Sequence, residues 1–118
     1  MLIGKAAEIV FVSTLLALVG VSESKIKEYT PMIVKYSEKS NLEPELVAAV
    51  IQVESSWYPK AVSEAGACGL MQVIPKWNPK PDGSLYTCEE LKKPSVNIEA
   101  GTRALRWWLD RAKGDRQL

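Results

Sequence analysis

The chain has 118 residues, enough for one hydrophobic core and no room for two domains. Its content is 47% hydrophobic and 25% charged, as in a folded protein, and Lys+Arg 15 against Asp+Glu 14 gives a net charge of +1, which announces no nucleic-acid or other polyelectrolyte partner. Histidine is absent, which excludes Ser-His-Asp and Cys-His catalytic units and removes the commonest ligand of a catalytic zinc; acid–base chemistry here rests on carboxylates, Tyr, Lys or Cys.

At the amino terminus Lys5 precedes an apolar run from Ile9 to Val21, interrupted only by Ser13, Thr14 and Gly20. The run has the length of a signal-peptide core and falls short of the roughly 20 apolar residues a spanning helix needs. Gly20, Ser22 and Ser24 offer a cleavage site without the preferred Ala-x-Ala pattern. Three readings stand: a signal peptide over 1–22, an uncleaved membrane anchor over the same residues, or a buried first helix. The first two leave 23–118 as a domain outside the cytoplasm.

From Lys25 to Ser40, Ile26, Tyr29, Ile33 and Tyr36 recur at helical steps, with Pro31 expected to interrupt the first turns. Asn41-Leu42-Glu43 reads as a turn, and Pro44 suits the first position of a helix, where its missing N–H has no partner to lose. That helix runs through Val47, Val50, Ile51 and Val53 and ends by Ser56 to Tyr58, ahead of Pro59. Glu54 therefore falls in its last turn, on the side of Val47 and Ile51. Partial burial there and the negative end of the helix dipole would both disfavour the ionised carboxyl, a property suited to a general acid.

Residues 60–68 read as a compact loop, followed by a short helix over Leu70 to Ile74 that Pro75 closes. Asn78 to Ser84 is turn chemistry on the surface. A final helix is expected from about Ser95, with Ile98, Gly101, Leu105, Trp108, Leu109 and Ala112 on one side, ending at Gly114. With no period-two signal and no internal repeat, the fold class is all-α. Cys68 and Cys88 either pair, as an exported protein allows, or stay as two buried thiols. Trp57 reads as core, and Trp107 and Trp108 as either core or sugar-stacking residues.

Two blocks carry a resemblance. Ala48-Ala49-Val50-Ile51-Gln52-Val53-Glu54-Ser55-Ser56-Trp57 and, after it, Gly66-Ala67-Cys68-Gly69-Leu70-Met71-Gln72-Val73-Ile74-Pro75 resemble the soluble lytic transglycosylase-like (SLT) domain of the lysozyme superfamily, with its Glu-Ser pair and Gly-Leu-Met-Gln-x-x-Pro signature at the expected separation. A looser block, Asn97-Ile98-Glu99-Ala100-Gly101 with Leu105, is similar to the helix behind that family's active site. The resemblance covers about Leu42 to Leu118 and implies a lysozyme-like small helical domain that cleaves peptidoglycan glycan strands. It makes Glu54 the catalytic residue, Ser63 a substrate contact, Gln72 a groove residue, and Met71 a groove or core residue.

In the mechanism the family implies, Glu54 protonates the oxygen joining N-acetylmuramic acid to N-acetylglucosamine. The substrate's acetamido group stabilises the developing charge, and the ionised Glu54 then deprotonates the C6 hydroxyl to give a 1,6-anhydro product. No cofactor or metal enters. The implied location is exported, in the periplasm or cell envelope, with membrane association through residues 9–21 or a place in a virion as further expectations. Gly114-Asp115-Arg116-Gln117-Leu118 resembles the approach to the family's Ala-Tyr-Asn-Ala-Gly motif, whose tyrosine helps position the catalytic carboxyl and has no counterpart here. Tyr58 and Tyr86 are candidates for its hydroxyl, and spacing favours neither. A glycan-binding assembly component without turnover, a hydrolytic lysozyme and a membrane-inserted structural subunit are the competing expectations.

Overall fold

The computed structural model describes residues 4–116, with side-chain environments through Lys113. Met1 to Ile3, within the expected signal or anchor segment 1–22, and Gln117 and Leu118 of the carboxyl-terminal segment lie outside the described residues. Five α-helices follow in chain order: α1 (Lys5–Leu18), α2 (Glu23–Lys39), α3 (Pro44–Ser55), α4 (Cys88–Leu91) and α5 (Pro94–Arg116), with a 3-10 turn at Pro75–Trp77. The domain is all-α, as the periodicity requires, and isolated bridges pair Cys68 with Val62 and with Val73.

Helix α1 forms a structural layer of the domain. It packs on α2 and α3, and its Val12 and Leu16 are fully buried in the same core as Ile33, Val47 and Ile51. Its other side is apolar as well, with Val10, Phe11, Leu18 and Val19 exposed. Among the described residues no helix is long and apolar enough to cross a membrane.

Helix α2 starts one turn's fraction earlier than its periodicity suggests, because Ser22 caps it by accepting from the Lys25 N–H. Pro31 does not interrupt it, contrary to expectation. The ring lies on the exposed side of the helix, where the carbonyl of Lys27 that loses its donor can turn to water. Helix α3 begins at Pro44 and stops at Ser56, whose left-handed φ of 49° ends the helical hydrogen bonding. Trp57 then turns back into the core, stacked 6.2 Å from Tyr29, with its indole N–H on the Gln52 side chain at 2.7 Å and its carbonyl accepting from Lys25 at 2.9 Å. It is packing, as expected.

The expected short helix over Leu70 to Ile74 is absent. Gly69 to Gln72 form a tight turn between the two partners of the Cys68–Val73 bridge, and Pro75 opens a 3-10 turn instead of closing a helix. Two left-handed residues, Gly69 at φ 78° and Gln72 at φ 52°, account for the break. Cys68 and Cys88 are joined by a disulfide, with Cα atoms 5.7 Å apart, which fixes this turn to the start of α4. Thr87 and Glu90 form a capping box there. The Thr87 N–H and then Lys80 hold the Glu90 carboxyl below the ordinary carboxylate range.

Helix α5 continues past Gly114 to Arg116, so that glycine does not end it. The burial of α1 has a direct consequence for stability. Leu16→Ala should lower the unfolding free energy by about 3 kcal/mol, whereas Val10→Ala, on the exposed side, should change it by a few tenths; urea titration of both variants measures the difference.

Candidate active site

A groove of about 1040 Å³ opens where the last turn of α3, the Gly69–Ile74 turn and one face of α5 converge. Val50 and Glu54, one helical turn apart, line it from α3. Met71, Gln72, Val73 and Ile74 form a second wall, extended by Trp77, Asn78 and Pro79. Ala100, Gly101, Arg103, Ala104, Leu105, Trp107 and Trp108 come from α5. Among the described lining residues Glu54 is the one acid and Arg103 the one base.

The second wall depends on Asn97, which is fully buried at the start of α5. Its side-chain oxygen accepts from the Met71 N–H at 2.7 Å, and its amide nitrogen donates to the carbonyls of Cys68 at 2.7 Å and Leu91 at 2.8 Å. One side chain thereby satisfies three backbone groups on two segments that make no regular secondary structure together. Gly69 is required by the same packing, since a Cβ there would overlap the Asn97 amide and the Leu91 carbonyl. Gly101 plays the matching part on α5: a Cβ would press into the Met71 side chain. The third block of the sequence thus packs behind the turn, as expected, and Asn97 is its working residue.

Glu54 lines the groove but is exposed, so the protein does not bury it as its helical position suggested. The reason is that α3 meets α1 and α2 through Val47, Ala48 and Ile51, which leaves the Val50–Glu54 edge facing the open groove. Among the described residues its carboxylate takes part in no ion pair. Gln72 also lines the groove, and both protons of its amide are committed to the carbonyls of Ala61 at 3.1 Å and Gly69 at 3.0 Å, leaving its side-chain oxygen without a partner among the described residues. Met71 is buried over Gly101 and serves as wall and core together.

Ser63 is not part of the groove lining. Its hydroxyl accepts from the Ala67 N–H at 3.1 Å and its own N–H donates to the Ala67 carbonyl at 2.9 Å, which closes the loop before the turn. Neither tyrosine considered for an orienting hydroxyl lines the groove: Tyr58 is exposed, and Tyr86 is buried with its oxygen accepting from Arg103 at 2.7 Å.

Trp77 and Arg103 belong to none of the sequence blocks, and Asn97 stands in the looser block without a role of its own. Arg103 and Trp107 are four apart on the face that also carries Gly101, Ala104 and Trp108, and this run of small residues flanked by a base and two indoles was the available signal. Of the expected core stripe of α5, Ile98 is buried and Leu105 and Leu109 pack against the core as expected, while Gly101, Leu105 and the exposed Trp108 line the groove. Trp107 and Trp108 meet edge to face at 4.8 Å and are 54% and 58% exposed, and Trp77 on the other wall is 69% exposed. Exposed indoles around a groove suit stacking on the apolar faces of sugars.

The family described as Transglycosylase SLT domain matches residues 31–118. The chain is 34% identical over 94 residues to membrane-bound lytic murein transglycosylase C of Actinobacillus pleuropneumoniae serotype 5b, covering 70% of this chain and 24% of that protein. It is 35% identical over 89 residues to the protein of the same name in Glaesserella parasuis serovar 5, with 70% and 24% covered. The protein of that name in Haemophilus influenzae strain PittEE is 34% identical over 89 residues, with 70% and 25% covered. The chain therefore spans about a quarter of the length of these relatives.

The Asn97 bracket makes a definite prediction. Asn97→Leu strands the Met71 N–H and the Leu91 carbonyl, while the Cys68 carbonyl keeps the Val73 N–H, and should cost at least about 2 kcal/mol of stability. Reducing the Cys68–Cys88 disulfide should cost about 3 kcal/mol by freeing the loop it closes. Chemical denaturation of the variant, and of the wild type with and without dithiothreitol, reads both.

Proposed function

Because the chain belongs to the transglycosylase SLT domain family, we propose that it cleaves the glycan strands of peptidoglycan as a lytic transglycosylase, with Glu54 as its acid and base. The observation that carries this reading is a carboxylate that is the one acid among the described lining residues and has no ion pair among them, on the wall of an open groove edged by Trp77, Trp107 and Trp108. Two-carboxylate glycosidases need a second acid across the groove, and among the described lining residues there is none. One carboxylate suffices where the substrate supplies the rest.

In the proposed reaction Glu54 gives its proton to the oxygen between N-acetylmuramic acid and N-acetylglucosamine as that bond breaks. The acetamido oxygen of the muramic acid supports the anomeric carbon. The Glu54 carboxylate then takes the C6 hydroxyl proton while that oxygen closes on the anomeric carbon, giving the 1,6-anhydro sugar and returning Glu54 to its starting state. Atoms balance without water. Since Glu54 is exposed in the free protein, it is the bound strand, stacked on the indoles, that excludes water from the carboxyl. Gln72 offers its side-chain oxygen to a sugar hydroxyl or amide N–H, and Met71 supplies the apolar wall. Ser63 shapes the loop behind them.

The relatives are named membrane-bound, which fits a site of action in the cell envelope. We assign the outward apolar side of α1, with Val10, Phe11, Leu18 and Val19, as the part of this chain that meets the membrane surface.

Purified peptidoglycan digested with the wild type should release anhydro-muropeptides, identified by mass, and Glu54→Gln should reduce release by about 10²- to 10⁴-fold. Hydrated products would overturn the transglycosylase reading in favour of a lysozyme. Glycan binding without release by the folded chain would make this a binding component.

A further inference from the structure

We propose that Arg103 is the carboxylate-binding residue of the groove, reading an acid carried by the glycan strand. This rests on the reading of the groove as a peptidoglycan site. Arg103 is half-buried in a wall that is otherwise small or apolar along α5, and it is the one base among the described lining residues. Its guanidinium donates to the Tyr86 hydroxyl at 2.7 Å, a neutral partner that is itself buried and fixed beneath Lys80.

The contrast with its neighbours is what makes the site. Lys80, Lys92 and Arg106 are half-buried to a similar degree, and each has a carboxylate: Glu90 at 3.0 Å, Glu89 at 2.7 Å and Asp110 at 2.6 Å. Among the described residues Arg103 has no carboxylate within 4.0 Å. A partly desolvated guanidinium with no counter-ion among the described residues is able to gain an ion pair from a ligand in the groove. Only one of its five N–H groups is committed to Tyr86, so a planar fork remains for bidentate contact with a carboxylate. Tyr86 holds the fork in place, which lowers the entropy lost on binding.

Peptidoglycan strands carry such acids in the stem peptide or, on a muramic acid without a stem, in the free lactyl carboxyl. Neutral N-acetylglucosamine oligomers carry none. Arg103 would therefore separate peptidoglycan from chitin-like strands of the same sugar geometry, and Glu54 and Arg103 together would set the register of the strand in the groove.

The full chain carrying Glu54→Gln, which leaves the strand uncut, is titrated calorimetrically with three probes: an N-acetylglucosamine oligomer, a glycan oligomer stripped of its stem peptides and so bearing the lactyl acid, and the same oligomer with stems. Acid-bearing probes should bind about tenfold tighter than the neutral one, and adding Arg103→Gln should remove that advantage by weakening the acid-bearing probes much more than the neutral oligomer. An advantage already present without stems assigns the lactyl acid; one that requires stems assigns the peptide. Arg103→Lys should keep part of it, Tyr86→Phe should weaken it without abolishing it, and salt should weaken only the acid-bearing probes. If Arg103→Gln fails to fold, Arg103→Lys and the salt dependence carry the test. Equal binding of neutral and acidic probes, or equal loss of both in Arg103→Gln, overturns the assignment alone. Failure of the parent chain to bind any of the three overturns the peptidoglycan reading and this assignment with it.

Discussion

The groove rests on one buried amide. Asn97 spends its oxygen and its nitrogen on three backbone groups from the Cys68–Met71 turn and the end of α4, and with them it decides where the second wall of the groove stands relative to α5. A segment such as Gly69 to Gln72 has no helix or sheet of its own to satisfy its peptide groups, so a side chain from a regular element has to do it. The surrounding sequence follows from that demand. Gly69 leaves room for the amide, Gly101 leaves room for Met71, and the Cys68–Cys88 disulfide fixes the far side of the turn.

The rest of the fold presents α3 to this wall. Helix α3 is gripped by α1 and α2 through Val47, Ala48 and Ile51, and Ser56 and Trp57, both at positive φ, turn the chain off its end. Trp57 drives into the core against Tyr29, and this anchoring holds the last turn, with Glu54, at the rim of the groove. The result is a carboxyl positioned by rigid packing yet open to solvent. In the proposed reaction the substrate completes these surroundings, bringing its own acetamido group and its own bulk to displace water.

Helix α1 serves two environments. Its Val12 and Leu16 close the core that α2 and α3 leave open, while Val10, Phe11, Leu18 and Val19 face outward. A helix apolar all round has no preferred side in its own pattern. Pairing it with the amphipathic α2 is what gives it one.

The residues alone were sufficient for the all-α class, for α3 and its limits at Pro44 and Ser55, for Trp57 as core, and for the placing of Glu54 in a last turn, because each follows from local signals: periodicity, a proline at a helix start, a proline beyond its end. The spacing of the two family blocks likewise sufficed to bring Glu54 and the Gly69–Ile74 segment to one site. What only the tertiary structure decided is where water reaches. Glu54 is exposed because its neighbours on α3 pack sideways. Trp108 of the α5 stripe lies exposed in the groove while Leu109 beside it packs on the core, and Pro31 is accommodated because it lies on a solvent side. Asn97 and Arg103 acquire their roles only through partners 26 and 17 residues away, Met71 and Tyr86, and no local pattern encodes a hydrogen bond across that distance.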